Sequence, residues 1–162
     1  MGEHHPALSD AEAQALAERV ADSMYARDTA SIALGIRIET VGPGRADMVM
    51  AVRPDMLNGH AICHGGFITT LADSAFAFAC NSFNEVTVAS SLAVDLVAPA
   101  REGDVLTAEA RVASRAGRTG VYDMVVTNQR GERVAFVRGR SYTMKGKPVV
   151  ALPVAAPAAA PN

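Results

Sequence analysis

Asn58-Gly59-His60-Ala61-Ile62-Cys63-His64-Gly65-Gly66-Phe67-Ile68-Thr69-Thr70-Leu71-Ala72-Asp73-Ser74-Ala75-Phe76-Ala77-Phe78-Ala79-Cys80 is the stretch on which the fold turns. Its first part, rich in Gly, His and Asn, has no hydrophobic period and reads as the end of a loop covering residues 53–63. From His64 onward it runs to Cys80 without Gly or Pro after Gly66, which is longer than a typical strand and predicts a helix. Phe67, Ile68, Leu71, Ala72, Ala75, Phe76, Phe78 and Ala79 fall on nearly every face of that helix, so it is expected to be buried.

The surrounding sequence supplies what buries it. Upstream, Ser9-Asp10-Ala11-Glu12 has capping-box spacing, and Leu16, Val20 and Met24 recur at helical intervals, predicting an amphipathic helix over 10–27. Ile36, Ile38 and Thr40 then alternate with charged residues up to Gly42-Pro43-Gly44, and Ala46, Met48, Met50 and Val52 alternate after it, the pattern of a hairpin. Four further strand-like runs follow the long helix, at 86–97, 104–114, 120–128 and 133–142, separated by turns short enough to favour antiparallel neighbours. The pattern is α+β, with about six antiparallel strands, one long buried helix that a curved sheet can wrap, and an extra N-terminal helix. One ordinary domain accounts for the 162 residues, assigned to 9–146. Residues 147–162, mainly Ala, Val and Pro, are expected to be a disordered or loosely docked tail.

Composition narrows the function. A net charge of −2 with scattered Lys and Arg leaves no electrostatic footprint for nucleic acid, and no segment reads as a membrane span or secretory signal. Two cysteines without CxxC spacing fit a reducing compartment, so the expected location is the cytoplasm.

Three features carry chemistry. Asp73 sits in the middle of the apolar helix, where a carboxylate needs either a structural partner, such as Thr69, Thr70 or a backbone donor, or a functional reason. Gly65-Gly66 at the helix start offers N–H groups, with the positive end of the helix dipole, to the oxygen of a polarised carbonyl. Eight residues separate Gly65 from Asp73, about 12 Å along a helix, so one reacting carbonyl cannot readily touch both in a single chain. If both serve one substrate they come from different subunits of a symmetric dimer. His60 and His64 share the i, i+4 spacing of zinc-binding helices, but the accompanying Glu and a third ligand are missing and the stretch is loop-like, which favours loop anchoring over metal. A Cys63 nucleophile beside a histidine is disfavoured because adjacent residues rarely face each other.

The stretch Asn58 to Gly66 together with Thr70 to Ala77 resembles the signature of the phenylacetic-acid-degradation thioesterases, acyl-CoA hydrolases of the hotdog superfamily. The likeness continues through Gly117-Arg118-Thr119-Gly120-Val121-Tyr122-Asp123 and Arg138-Gly139-Arg140-Ser141, covering most of 9–146. It implies a hotdog fold and hydrolysis of an acyl-CoA, with phenylacetyl-CoA or a ring-hydroxylated relative as substrate. Asp73 is then nucleophile or general base, Gly65 the donor to the thioester carbonyl, and Asn58 and His64 position the carbonyl or the water. Ser90 or Ser91 adds a hydroxyl from the strand after the helix, and alternation lets only one of them face the site. Arg115, Arg118 and Thr119 are expected at the CoA phosphates, with no metal or other cofactor, and the assembly is a homodimer with shared sites within a homotetramer. An acyl-thioester dehydratase or hydratase on the same fold, or a non-catalytic acyl-CoA binding module, are the competing classes.

Overall fold

A computed structural model describes residues 8–152. The elements follow in the order α1 (Asp10–Tyr25), α2 (Thr29–Leu34), β1 (Arg37–Gly42), β2 (Arg45–Ala51), α3 (Gly65–Asn81), β3 (Thr87–Leu96), β4 (Val105–Ala116), β5 (Thr119–Thr127) and β6 (Arg133–Thr143), with a 3-10 turn at Pro54–Met56. All strand pairs are antiparallel, in the order β1-β2-β4-β5-β6-β3. Helix α3 packs against all six strands, so the sheet wraps it as expected, and the architecture is the hotdog fold.

Alternation decides which side chains face the helix. Met48 and Met50 of β2, Leu106 and Ala108 of β4, Tyr122 and Met124 of β5 and Val137 of β6 are buried beneath it together with Leu71, Ala75, Phe76 and Phe78 of α3. Gly139 of β6 lies directly under the Phe76 ring, whose atoms stand 3.0 Å from where a Cβ would project. At the hairpin, Gly44 holds φ at +70°, and a side chain there would press on Val112.

Four expectations change. The N-terminal helix stops at Tyr25 because the chain turns into a second short helix, α2, capped by the Asp28 side chain on the Ser31 N–H. Helix α3 is not covered on every face: Thr70, Asp73 and Ala77, one stripe at i, i+3 and i+7, remain partly exposed in the single chain. The strict alternation assumed for Ser90 and Ser91 is broken by a β-bulge between Ala89 and Ser91, which leaves Ser90 as the extra residue. The tail is not loose from its start, because Lys147, Val149, Val150 and Ala151 are hydrogen-bonded to the body; the remaining tail residues, 153–162, lie outside the described residues.

Candidate active site

The loop before α3 is tied down by Asn58. Its side-chain oxygen accepts from the N–H groups of His60 (2.9 Å) and Ile62 (3.4 Å), and its own N–H donates to the Ile62 carbonyl. With the oxygen so occupied, the Asn58 amide NH2 is left as a donor. His64 caps the helix: its Nδ1 accepts from the Gly66 N–H at 3.2 Å, and its carbonyl from Phe67. The neutral ring then carries its proton on Nε2. The helix-start N–H of Gly65 donates to no group among the described residues. Asn58 and Gly65 share a cavity of about 410 Å³ with Ile62, Ile68, Leu96 and Val97, so two uncommitted donors, one of them at the positive end of a helix, line one apolar recess.

Asp73 lies elsewhere. It lines a second cavity, about 390 Å³, with Met24, Arg27, Phe76, Thr87 and Val149 among its walls. Thr69 and Thr70, its nearest candidate partners, turn back to donate to the carbonyls of Gly65 and Gly66. No hydrogen bond or ion pair among the described residues reaches the Asp73 carboxylate, and burial raises it above its ordinary 3.8. The structural explanation for this carboxylate therefore lacks its partner. A half-buried carboxyl that lines a cavity and has no partner among the described residues is a candidate base or nucleophile.

The two cavities are joined by the geometry of one strand. Strand β3 is at the sheet edge; at its start the Asn81 side chain accepts from the Thr87 N–H and donates to the Thr87 carbonyl, and beyond Thr87 no strand among the described residues pairs with its outer side. Its Leu96 end lines the Asn58–Gly65 cavity, while Thr87, Val88 and Ala89 at its other end line the Asp73 cavity.

The remaining expected residues are placed as follows. Ser90 donates its hydroxyl to the Arg140 carbonyl, and Ser91 pairs with Arg140, whose side chain is exposed; neither lines the two cavities described above. Arg115 stacks on the Phe83 ring at 3.6 Å and pairs with Glu85 at 3.7 Å. Arg118 donates to the Tyr142 hydroxyl and Thr119 to the Ala116 carbonyl. Cys63 is buried, which pushes its thiol up and away from thiolate chemistry. Sequence reasoning missed Arg27 and Val149, both on the wall of the Asp73 cavity. Arg27 had a signal, a cation one turn beyond the last apolar position of α1; Val149 had none, since its neighbours are Pro, Val and Ala.

Residues 60–135 match the family model described as thioesterase superfamily. The acyl-coenzyme A thioesterase PaaI of Escherichia coli K12 is 45% identical over 126 residues, 78% of this chain and 90% of that protein. The chain belongs to the thioesterase superfamily and is an enzyme of that class. Among solved structures, it resembles the E. coli PaaI protein of the phenylacetic acid degradation operon, with a TM-score of 0.81, 43% identity, and coverage of 83% of this chain and 97% of the other. A variant of the phenylacetic acid degradation protein PaaI from Thermus thermophilus is also similar, at 36% identity and a TM-score of 0.67, covering 69% of this chain and 96% of that one.

Proposed function

We propose that this enzyme hydrolyses acyl-CoA thioesters, with phenylacetyl-CoA or a ring-hydroxylated relative as its substrate, at sites shared between two copies of the chain. The observation that carries the reading is the division of the site: free donors at one end of the edge strand and an unpaired carboxylate at the other. Antiparallel pairing of β3 with a second β3 about a two-fold axis sets the Leu96 end of one strand beside the Thr87 end of its partner. The Asn58–Gly65 cavity of one chain then adjoins the Asp73 cavity of the other. The same pairing covers the open edge of β3 beyond Thr87, together with Leu96 and Val97, both more than half exposed in the single chain.

In this arrangement the thioester oxygen accepts from the Gly65 N–H and the Asn58 amide, which stabilise the charge that develops on it. His64 acts by holding the first turn of α3 in place. The partner subunit's Asp73 either attacks the carbonyl carbon or takes a proton from a water that does so. In the first route, loss of CoA thiolate leaves an anhydride that water cleaves, restoring the carboxylate; in the second the acid forms directly. Both consume one water and release one free acid and one CoA thiol. Arg118 and Thr119 remain candidates for the CoA phosphates, whereas Arg115 is held by Phe83 and Glu85. Association of two dimers completes a tetramer, and the two buried free thiols suit a cytoplasmic enzyme. Among the described residues, no helix is long and apolar enough to cross a membrane.

A panel of aryl-acetyl and straight-chain acyl-CoAs, followed with a thiol reagent, tests this reading. Release of thiol, fastest from the aryl-acetyl members, is expected. Binding of acyl-CoA with no release from any member would make the chain a binding module instead.

A further inference from the structure

The Asp73 cavity has one wall that comes from the far end of the chain. Strand β6 ends at Thr143, and the segment beyond it returns to lie against residues 84–86: the Val86 N–H donates to the Lys147 carbonyl at 2.8 Å, and Met144 donates back to Val86. Asn84 then fastens the next two residues. Its side-chain oxygen accepts from the N–H groups of Val149 (3.1 Å) and Val150 (2.8 Å), and its amide donates to the Val150 carbonyl at 2.9 Å. Asn84 is buried and holds φ at +60°, a backbone conformation that Asn tolerates better than most residues. A further bond, from the Arg19 guanidinium of α1 to the Ala151 carbonyl at 3.0 Å, fixes the segment from the other side. Five hydrogen bonds join residues 147–151 to Arg19, Asn84 and Val86, more than a passive tail requires. Their effect is to hold Val149 in the wall of the cavity that Asp73 lines, together with Met24, Phe76 and Val86.

We infer that Val149 is a specificity-determining residue, the end wall that limits the acyl group, and that Asn84 is the positioning residue that sets it there. The inference rests on the proposed thioesterase reading, and in particular on the acyl group occupying the Asp73 cavity. That cavity suits an acyl group, since Met24, Phe76, Val86 and Val149 give an open recess apolar walls beside Asp73. Of residues 147–151 only Val149 lines the cavity, so a change in its volume is a change in the wall that leaves the carboxylate in place.

The test compares kcat/KM for phenylacetyl-CoA, and for a longer aryl-acyl-CoA, with that for acetyl-CoA, as ratios, in the wild type and three variants. Val149→Phe fills the cavity, and the ratio is expected to fall at least tenfold, the scale on which an apolar pocket discriminates by a few carbon atoms. Val149→Ala opens the cavity, and the ratio for acyl groups longer than phenylacetyl is expected to rise. Asn84→Gly keeps the left-handed backbone but removes the clamp, so its profile should move in the same direction as Val149→Ala. Should Val149→Phe fail to fold, the two opening variants still decide the question. An active enzyme whose acyl profile is the same in the wild type and in all folded variants would overturn the inference while leaving the thioesterase reading intact. A wild type that releases no thiol from any acyl-CoA would overturn both.

Discussion

Asp73 is the reacting carboxylate of the proposed mechanism, and among the described residues the fold gives it no partner. Thr69 and Thr70 both satisfy carbonyls of their own helix, and burial alone raises the carboxyl above its ordinary value. The sign of the consequence follows from linkage. A carboxyl whose folded value lies above its unfolded value binds its proton more tightly when folded, so stability declines as pH rises from the unfolded value through the folded one, and the ionised carboxylate is a net burden above it. Asp73→Asn should therefore melt at a higher temperature than the wild type at neutral pH, and the difference should shrink in acid. Turnover should fall by about 10²-fold or more, as loss of a base or nucleophile implies. In the wild type, activity should rise with pH through a value above that of an ordinary aspartate. Thermal melts at several pH values beside thiol-release rates check all three, and an Asn variant that keeps near-normal turnover would return Asp73 to a structural role. The sequence made this residue conspicuous, since a carboxylate among Leu71, Ala72, Ala75 and Phe76 is costly wherever it is buried. What it left open was whether a neighbour answers it, because a threonine four residues from a carbonyl has a competing bond within the helix.

At the scale of the elements, hydrophobic period located the long helix, the hairpin and the four later strands with small shifts at their ends. Losses occurred where local side-chain bonds override period. Helix α2 has six residues, too few to show a repeat, and depends on the Asp28 cap. The bulge that removes Ser90 from the alternation depends on its pairing with β6. The docked tail depends on Asn84, sixty-five residues before Val149. A glycine makes the converse point: Gly139 reads as part of a strand, but its place under Phe76 is visible only in the packing. Gly139→Ala puts a methyl group 3.0 Å from that ring, and overpacking of this kind costs about 1–3 kcal/mol. A lower melting temperature is the expected result, with activity reduced as well because Phe76 also lines the Asp73 cavity. A Gly139→Ala protein as stable and active as the wild type would show that the ring has room to move.

For the whole molecule, the central claim is that the site is assembled from two chains. The eight-residue spacing from Gly65 to Asp73 already implied it, and the structure adds two separate cavities at opposite ends of one edge strand. The most direct measurement is complementation between two defective chains. Asn58→Asp keeps the oxygen that holds the loop and replaces the donating amide; Asp73→Asn removes the carboxylate. Each alone should be nearly inactive. Unfolded and refolded together in equal amounts, half of the dimers are mixed, and each mixed dimer has one intact site and one doubly defective site. With mixed dimers confirmed by mass spectrometry, thiol release should return to about a quarter of the wild-type rate; mixed dimers that stay inactive would contradict a site shared between subunits.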